Sequence, residues 1–382
     1  MVAINATARS PMPPGGAGRA PRLRWPVAVA LIMCLHAIQC HATVLPDERA
    51  DGMYHYYDGG GVRVTGPALL VQKNVADNVA VSGSYYADTV SSASIDVVTT
   101  ASPFKEKRTE YGAGIDYLHN DSLMSLSVSK SNESDYIADT LSMNYSQDVF
   151  GGMTTVSMGY SRGKDTVREN NNPSFSDYVN RYQYRLGVSQ ILTQTLRVNV
   201  DYEAITDEGY LNSPYRSARL FGAAVPERYP RTRDSQAVAL RTFKYLLPNS
   251  SVRFEYRYFW DTWDIAANTV EAAYSTYIST PWLVELRYRY YSQNNASFYS
   301  DNFTQLQNYM ARDKELSTFK SHTLGGKLTY TLRNRPSFMN KSTLNVSYDH
   351  IKFNYDDFTD VRTQALYAFD ANIVESFLSL WF

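Results

Sequence analysis

Apolar and polar residues alternate in short segments along most of the chain, most clearly between residues 177 and 382. The best example is 251–260, where one set of alternate positions is apolar or aromatic (Val252, Phe254, Tyr256, Tyr258, Trp260) and the other includes Arg253, Glu255 and Arg257. A period of two places the two sets on opposite faces of a β-strand. Because the pattern recurs without helical segments to cover the apolar face, it predicts a barrel with lipid outside and water or a polar network inside.

The alternation predicts about sixteen strands, within a range of about 14–18. They are Met53–Tyr57, Val62–Lys73, Val79–Asp88, Arg108–His119, Leu123–Lys130, Ile137–Gln147, Thr154–Arg162, Tyr178–Ile191, Thr195–Ile205, Ser235–Tyr245, Ser251–Trp260, Ile265–Ile278, Trp282–Gln293, Phe319–Leu332, Thr343–Phe353 and Asp370–Phe382. Short turns alternate with long connections at 90–107, 163–177, 206–234 and 294–318. Barrels of bacterial outer membranes have short periplasmic turns and long external loops. The predicted fold class is therefore all-β, a transmembrane antiparallel β-barrel.

Residues 1–42 have the features of a cleaved signal peptide. The segment contains Arg9, Arg19, Arg22 and Arg24 and no acidic residue, and its apolar run Val27–Cys40 is too short to span a bilayer as a helix. Cys40-His41-Ala42 offers a small-x-small cleavage site. We therefore expect export through the inner membrane and a single barrel domain over residues 43–382, located in the outer membrane of a Gram-negative bacterium.

Composition narrows the chemistry that the mature chain can perform. Both cysteines, Cys34 and Cys40, lie in the signal segment, which excludes a disulfide framework and a thiolate metal site from the rest. We expect no cofactor and no metal. The chain has 37 Lys and Arg against 38 Asp and Glu, and removal of the four leader arginines leaves a net acidic protein. This balance gives no reason to expect nucleic acid as a partner.

Aromatic residues mark the ends of predicted strands. Four tryptophans, Trp260, Trp263, Trp282 and Trp381, are predicted to belong to the girdles at the two membrane interfaces, where an apolar ring with a polar edge is stable. The last strand alternates at Val374, Ser376, Leu378, Leu380 and Phe382. It resembles the terminal strand that outer-membrane barrels present to their assembly machinery, so Phe382 is the predicted assembly signal.

Two segments carry a family resemblance. The first is Met53-Tyr54-His55-Tyr56-Tyr57-Asp58-Gly59-Gly60-Gly61-Val62 with Gly66-Pro67 after it, and the second runs from Tyr85 to Val98. Together they resemble an uncharacterised bacterial family catalogued as domain of unknown function 3570. The resemblance implies an outer-membrane barrel with a signal peptide and a terminal aromatic residue, and it implies no reaction or ligand.

The faces opposite the apolar ones carry charged residues that are candidates for lining the lumen: Arg241, Arg253, Glu255, Arg257, Glu271, Glu285, Arg287 and Arg289. Unpaired charges in a dry interior are too costly, so this wall must be hydrated, paired or both. One interpretation is an electric field that selects solutes, as rings of charge do in pores. The other is a lattice of cross-strand Arg–Glu pairs that makes the barrel rigid. The sequence supports both.

A polar segment with Asp88, Ser91, Ser92, Ser94 and Asp96 is a candidate mouth loop. It could fold into the mouth as a constriction, bind a cation through its two carboxylates, or simply form a structured external loop; the spacing of the carboxylates matches no standard calcium loop. The arginines of 206–234 could contact lipopolysaccharide or could merely be solvated: Arg216, Arg219, Arg228, Arg231 and Arg233.

The sequence favours a pore for small hydrophilic solutes of unknown identity. Only four histidines follow residue 42, at 55, 119, 322 and 350, and neither Gly-x-Ser-x-Gly nor His-Glu-x-x-His occurs, so no catalytic residue is assigned and an enzyme is not expected. One alternative is a non-conducting structural or partner-binding barrel that serves an exported redox or polysaccharide system. Another is a surface hydrolase. Expected partners are outer-membrane lipid, lipopolysaccharide and the barrel-assembly machinery; a homo-oligomer stays open.

Overall fold

The computed structural model describes residues 43–92, 104–170, 172–247, 249–332 and 336–382. Sixteen long strands form the barrel: β1 (Arg49–Gly59), β2 (Val62–Ala76), β3 (Val79–Ser92), β4 (Phe104–His119), β5 (Ser122–Asn132), β6 (Tyr136–Val149), β7 (Thr154–Arg168), β8 (Ser176–Thr193), β9 (Leu196–Gly209), β12 (Thr232–Leu247), β13 (Ser250–Asp261), β14 (Ala266–Ser279), β15 (Trp282–Gln293), β16 (Phe319–Thr331), β17 (Lys341–Thr359) and β18 (Leu366–Trp381). A separate hairpin consists of β10 (Ser217–Leu220) and β11 (Ala223–Pro226).

The barrel is closed. Each strand pairs antiparallel with its sequence neighbour, except that β9 pairs with β12 because the hairpin β10–β11 stands apart between them. The first strand completes the ring by pairing with both β2 and β18, from Arg49 opposite Trp381 to Gly59 opposite Ala371. Closure gives the backbone groups of every strand partners on both sides, which a bilayer demands.

The predicted strands are confirmed, including the short segment at Met53–Tyr57, which is the core of β1. Most of the strands are longer than predicted. β9 continues to Gly209 and β12 begins at Thr232, which shortens the predicted loop 206–234, and β18 begins at Leu366. The extra residues pair beyond the stretch with clear alternation, where hydrogen bonding between strands needs no apolar face. The long connections all lie at the end away from Arg49 and Trp381.

The outer and inner faces differ as the alternation requires. On β5, Met124, Leu126 and Val128 point outward, with exposed fractions of 44%, 42% and 52%. Serines at the intervening positions 125 and 127 face the interior. Apolar exposure of this extent around a whole barrel indicates a surface covered by lipid. No helix among the described residues has the length and apolar character needed to cross a membrane.

An apolar cluster that the alternation does not predict fills part of the barrel end with the long connections. It joins inward residues of the wall, such as Val179, Phe358 and Tyr367, to residues of three connections, such as Tyr229, Trp263 and Phe298. Trp263 is fully buried at its centre, in edge contact with Tyr229 and Phe298. The prediction that Trp263 belongs to an interface girdle is therefore wrong, because the connection after β13 turns inward and buries the indole.

Candidate functional site: the barrel lumen

Six of the predicted lumen charges form a network of ion pairs on the wall from β12 to β15. Arg241 binds two carboxylates, with Nη1 2.9 Å from Asp201 Oδ2 and Nε 2.5 Å from Glu255 Oε2. Arg253 continues the network on β13, since its Nη1 lies 2.7 Å from Glu271 Oε1 and its Nη2 lies 3.8 Å from Glu285 Oε1. These side chains are mostly buried in the inner wall, so pairing offsets their desolvation.

Arg287 on β15 is the last arginine of this network in strand order, and its side chain reaches across a neighbouring strand. Its Nε donates to Asp349 Oδ1 at 2.8 Å, although β16 lies between β15 and β17. Gly325 is the β16 residue in register with both partners, and a Cβ there would stand 1.7 Å from Asp349 Oδ1. The absence of a side chain at Gly325 therefore leaves the space that the ion pair occupies.

Arg257 and Arg289 differ from the other predicted lumen arginines. Arg257 has one loose contact, from Nη2 to Glu203 Oε2 at 3.3 Å. Arg289 is exposed on the inner face of β15, and among the described residues no hydrogen bond or ion pair involves its side chain. The lattice interpretation thus describes six of the eight predicted residues. For Arg257 and Arg289, an electric field that selects solutes stays a prediction.

The middle of the wall on the opposite side of the lumen has small, uncharged side chains, and the inward Glu110 and Asp116 of β4 lie at its two edges. Inward positions on β5 carry Ser125, Ser127, Ser129 and Ser131, and β4 presents Gly112 and Gly114 opposite two of them. Ser142 and Ser161 extend the surface across β6 and β7, joined by a hydrogen bond of 2.9 Å. The strand order places these strands across the barrel from β14–β16. The lumen is therefore asymmetric, with a charged wall facing a wall of hydroxyls and glycines.

Residues 294–318, the mouth segment, fold against the inner wall at the end of the barrel with the long connections. Tyr299 donates from its hydroxyl to the Asp357 carbonyl at 3.0 Å, and Gln293 Nε2 donates to the Ser317 carbonyl at 2.8 Å. Arg312 Nη2 donates to the Thr359 carbonyl at 2.7 Å, so the segment extends from β15 and β16 as far as the end of β17. It therefore narrows the entrance on the side of the charged wall.

One ion pair and one hydrogen bond to a buried carboxylate fix the mouth segment to the connection between β9 and β12. Arg312 binds Asp301 at 2.6 Å, stacks on Phe358, and donates its backbone N–H to Glu227 Oε1 at 2.6 Å. Asp313 pairs with Arg216. A second apolar cluster, with Ala218, Phe303 and Met310, packs the hairpin β10–β11 against the segment.

The arginines considered for lipopolysaccharide contact therefore have other partners in three cases. Arg216 binds Asp313, Arg231 makes a two-pronged contact with Asp177 at 2.7 Å, and Arg233 is buried against Asp261. For the other two, Arg219 and Arg228, no ion pair of the side chain occurs among the described residues.

The predicted mouth loop is wrong for the residues that the structure describes. Asp88, Ser91 and Ser92 belong to β3, which continues in register with β2 up to Ser92 opposite Val62. Asp88 is buried, and its carboxylate accepts a hydrogen bond of 2.6 Å from His55 Nε2. This position is unsuited to an exposed cation site. Ser94 and Asp96 lie outside the described residues.

The two segments that carry the family resemblance meet at this histidine. His55 on β1 and Asp88 on β3 are separated by β2, where Gly66 is in register with His55. A Cβ at Gly66 would stand 1.6 Å from the Ala87 carbonyl oxygen, so the bare glycine lets β3 come close enough for Asp88 to reach His55. The Tyr86 ring stacks on the imidazole with centroids 5.1 Å apart.

The remaining tryptophans divide between the two faces. Trp260 and Trp282 lie on outward positions at opposite ends of the barrel, each beside a tyrosine. Trp381 pairs with Lys341 and shares the inward face of Phe377 and Ser379, so its assignment to the outer girdle is wrong. Successive side chains of a strand point to opposite faces. Because Leu380 points outward, the next residue, Trp381, points inward. Phe382 lies 5.3 Å below the Lys73 ammonium, and its role in assembly stays a prediction.

Each histidine in the described part of the chain has its own hydrogen-bond or ring partner. His322 bonds Tyr288 on the outer face, His350 bonds Asn372, and His119 stacks on Tyr117 at a turn. No cluster of three or more His, Cys, Asp or Glu suited to a metal occurs among the residues described.

A closed antiparallel barrel with an apolar exterior and a polar interior defines an integral outer-membrane β-barrel, and a solved structure shares this fold. A bacterial polysaccharide outer membrane secretin superposes with a TM-score of 0.51 at 9% identity, covering 87% of this chain and 98% of the other. The outer membrane protein OpdK from Pseudomonas aeruginosa gives 0.44 at 10% identity, covering 88% and 99%. OccK2 from the same species, solved with glucuronate, gives 0.45 at 9% identity, covering 88% and 96%.

The family resemblance drawn from the sequence is confirmed over the central part of the chain. The model of the family described as "Protein of unknown function (DUF3570)" matches residues 168–351. This range covers β8 to β16 and most of β17, and it contains all eight predicted lumen charges. No protein with a curated description matches the chain at a significant level.

Proposed function

We propose that the protein is a channel for small hydrophilic solutes across the outer membrane. The observation that supports this proposal is the continuous polar inner face of a sixteen-stranded barrel, from the ion-pair lattice to the serine wall. Barrels of this strand number enclose an aqueous lumen when inserted loops leave space. The mouth segment packs on the charged wall, and the apolar cluster includes no residue of β2 to β5. The passage is therefore restricted and lies toward the serine wall.

Conductance in a planar bilayer tests this function. Purified protein should give stepwise currents in potassium chloride. A Trp263→Ala variant should give larger steps, because it removes the centre of the apolar cluster while leaving the wall intact. Silence from both proteins, each folded by circular dichroism, would contradict a channel and favour the non-conducting barrel. Turnover of lipid or peptide substrates would instead support the surface hydrolase.

Export and partners belong to the same proposal. We infer cleavage of the signal segment after Ala42, contact of the assembly machinery with the terminal strand through Phe382, and contact of lipopolysaccharide with Arg219 and Arg228. Mass spectrometry of the protein from purified outer membranes tests the first point, since the mature chain should begin at Thr43. A Phe382→Ala variant should accumulate less in that fraction, while Phe221→Ala, at a connection away from the C-terminus, should not.

A further inference from the structure

The arginines of this lumen differ in how many contacts their guanidinium groups make with carboxylates. Arg241 and Arg287 each make at least two short contacts with carboxylates, and Arg253 makes one at 2.7 Å. Arg289 makes none among the described residues, and Arg257 makes a single contact of 3.3 Å with a carboxylate that also faces Arg185 at 3.7 Å. Since each guanidinium has five N–H donors, the two side chains keep most of theirs for other groups.

Their positions bring the two groups into one region of the wall. Arg257 on β13 is in register with Thr269 on β14, and Thr269 with Tyr291 on β15, two residues along from Arg289. Both arginines thus share the inward face of this wall with Tyr291. The space between them is thus bordered by Tyr291 and by the Phe259 ring, whose centroid lies 5.6 Å from the Arg257 guanidinium carbon.

The same region lies next to the anchor of the mouth segment. Tyr291 donates to Gln293 Oε1 at 2.6 Å, and Gln293 Nε2 donates to the carbonyl groups of Glu315 and Ser317. A solute that enters past the mouth segment therefore meets these two arginines at the start of the charged wall. The arginines further along are already neutralised by carboxylates.

We propose that Arg257 and Arg289 form a binding site for the oxyanion of a small solute, a carboxylate or a phosphate. Arg binds such groups through paired N–H donors with charge-assisted hydrogen bonds. This site specifies the solute class of the proposed channel and rests on that function for its role in transport. Binding itself requires only the folded barrel.

Isothermal titration of the detergent-solubilised mature barrel tests the site without requiring conductance. Acetate and inorganic phosphate serve as separate probes. They are titrated into Arg289→Gln, Arg257→Gln and the control Arg63→Gln, whose exposed arginine lies at the start of β2. Neither lumen change orphans a carboxylate, because Glu203 keeps Arg185. We expect saturable binding of at least one probe, weakened about tenfold or more by each lumen change and unchanged in the control.

The two probes identify the anion, and the variants decide the proposal. Binding of acetate alone would assign the site to carboxylates, and binding of phosphate alone to phosphates; either result supports the site if both lumen variants lose it. Absence of saturable binding, or equal binding by all variants, would overturn it. A barrel that binds but gives no current would contradict the channel and leave the binding site standing.

Discussion

Glycines between strands let charged side chains pair across a strand that separates them. Gly325 lies in the path of the Arg287–Asp349 pair, and Gly66 brings β3 close enough for Asp88 to reach His55. Neighbouring strands in a sheet are about 4.8 Å apart, so a pair that skips one strand must pass over the residue between. A side chain at that position would block the contact or push the strands apart.

Gly66→Ala should destabilise the barrel by about 2–3 kcal/mol or more, because its Cβ would meet a backbone carbonyl that cannot rotate away. Gly83→Ala is the matched control, since no atom lies within 4 Å of the Cβ that it would add on the adjacent strand. Urea unfolding in detergent micelles measures both. Equal stability of the two variants would contradict the close approach at Gly66.

Charge reversal at Arg257 and Arg289 should shift the ion preference of the channel toward cations. The double variant Arg257→Glu and Arg289→Glu replaces two incompletely paired positive groups by negative ones at the lumen surface, and a field of that sign attracts cations. Reversal potentials in a potassium chloride gradient measure the shift. Unchanged selectivity would show that both side chains lie off the conducting path.

At this scale the sequence predicts which residues face inward, because a period of two assigns each charge to a face. It does not predict partners. Arg253 and Arg289 have the same residue type on the same inward face, yet one is bound to Glu271 and the other to no described residue. The difference depends on register and on which acid another arginine already holds. The alternation of apolar and polar residues specifies neither the register nor the choice of partner.

The mouth segment is the element that gives this barrel its individual shape. It contains Phe298, Tyr299, Phe303, Tyr309, Met310 and Leu316. So many large apolar residues are unusual in a solvated loop, and this composition is the signal that could have revealed the burial. The segment escapes prediction because its contacts follow no period: each apolar residue meets a different strand or connection. The strands were predictable for the opposite reason, since every one repeats the same two-residue rule.

Two tyrosines make the packing of the mouth sensitive to alkaline pH. Burial raises the pKa of Tyr229 and of Tyr299, and the nearby Glu227 and Asp357 carboxylates raise these pKa values further. A folded-state pKa above the ordinary value of about 10 means that the neutral phenol stabilises the cluster. This stabilisation is complete below about pH 10 and is lost as the pH rises through the folded-state pKa values.

Ultraviolet titration of the phenolate measures this effect. The wild-type protein should contain one more tyrosine that ionises well above pH 10 than either of the single variants Tyr229→Phe and Tyr299→Phe. Loss of an ordinary titration step near pH 10 in the two cluster variants would contradict burial of these hydroxyls.

The whole molecule combines a standard barrel wall with an asymmetric interior. The apolar outer face and the hydrogen-bonded closure of β1 with β18 suit a bilayer, while the lumen places an ion-pair lattice opposite a wall of serines and glycines. Fold class, strand number and the location of long connections followed from the sequence, because they depend on repetition around the whole ring. The asymmetry did not, since it depends on which strands end up across the barrel from one another.

Thiol accessibility on one strand tests the central claim, that lipid covers one set of alternate side chains and water the other. Residues 43–382 contain no cysteine, so Ser127→Cys and Val128→Cys each introduce a single thiol into this part of the chain, at adjacent inward and outward positions of β5. In protein reconstituted in liposomes, a charged, water-soluble maleimide should label position 127 and leave position 128 unreacted. Equal labelling of both thiols, or labelling of position 128 alone, would contradict the barrel described here.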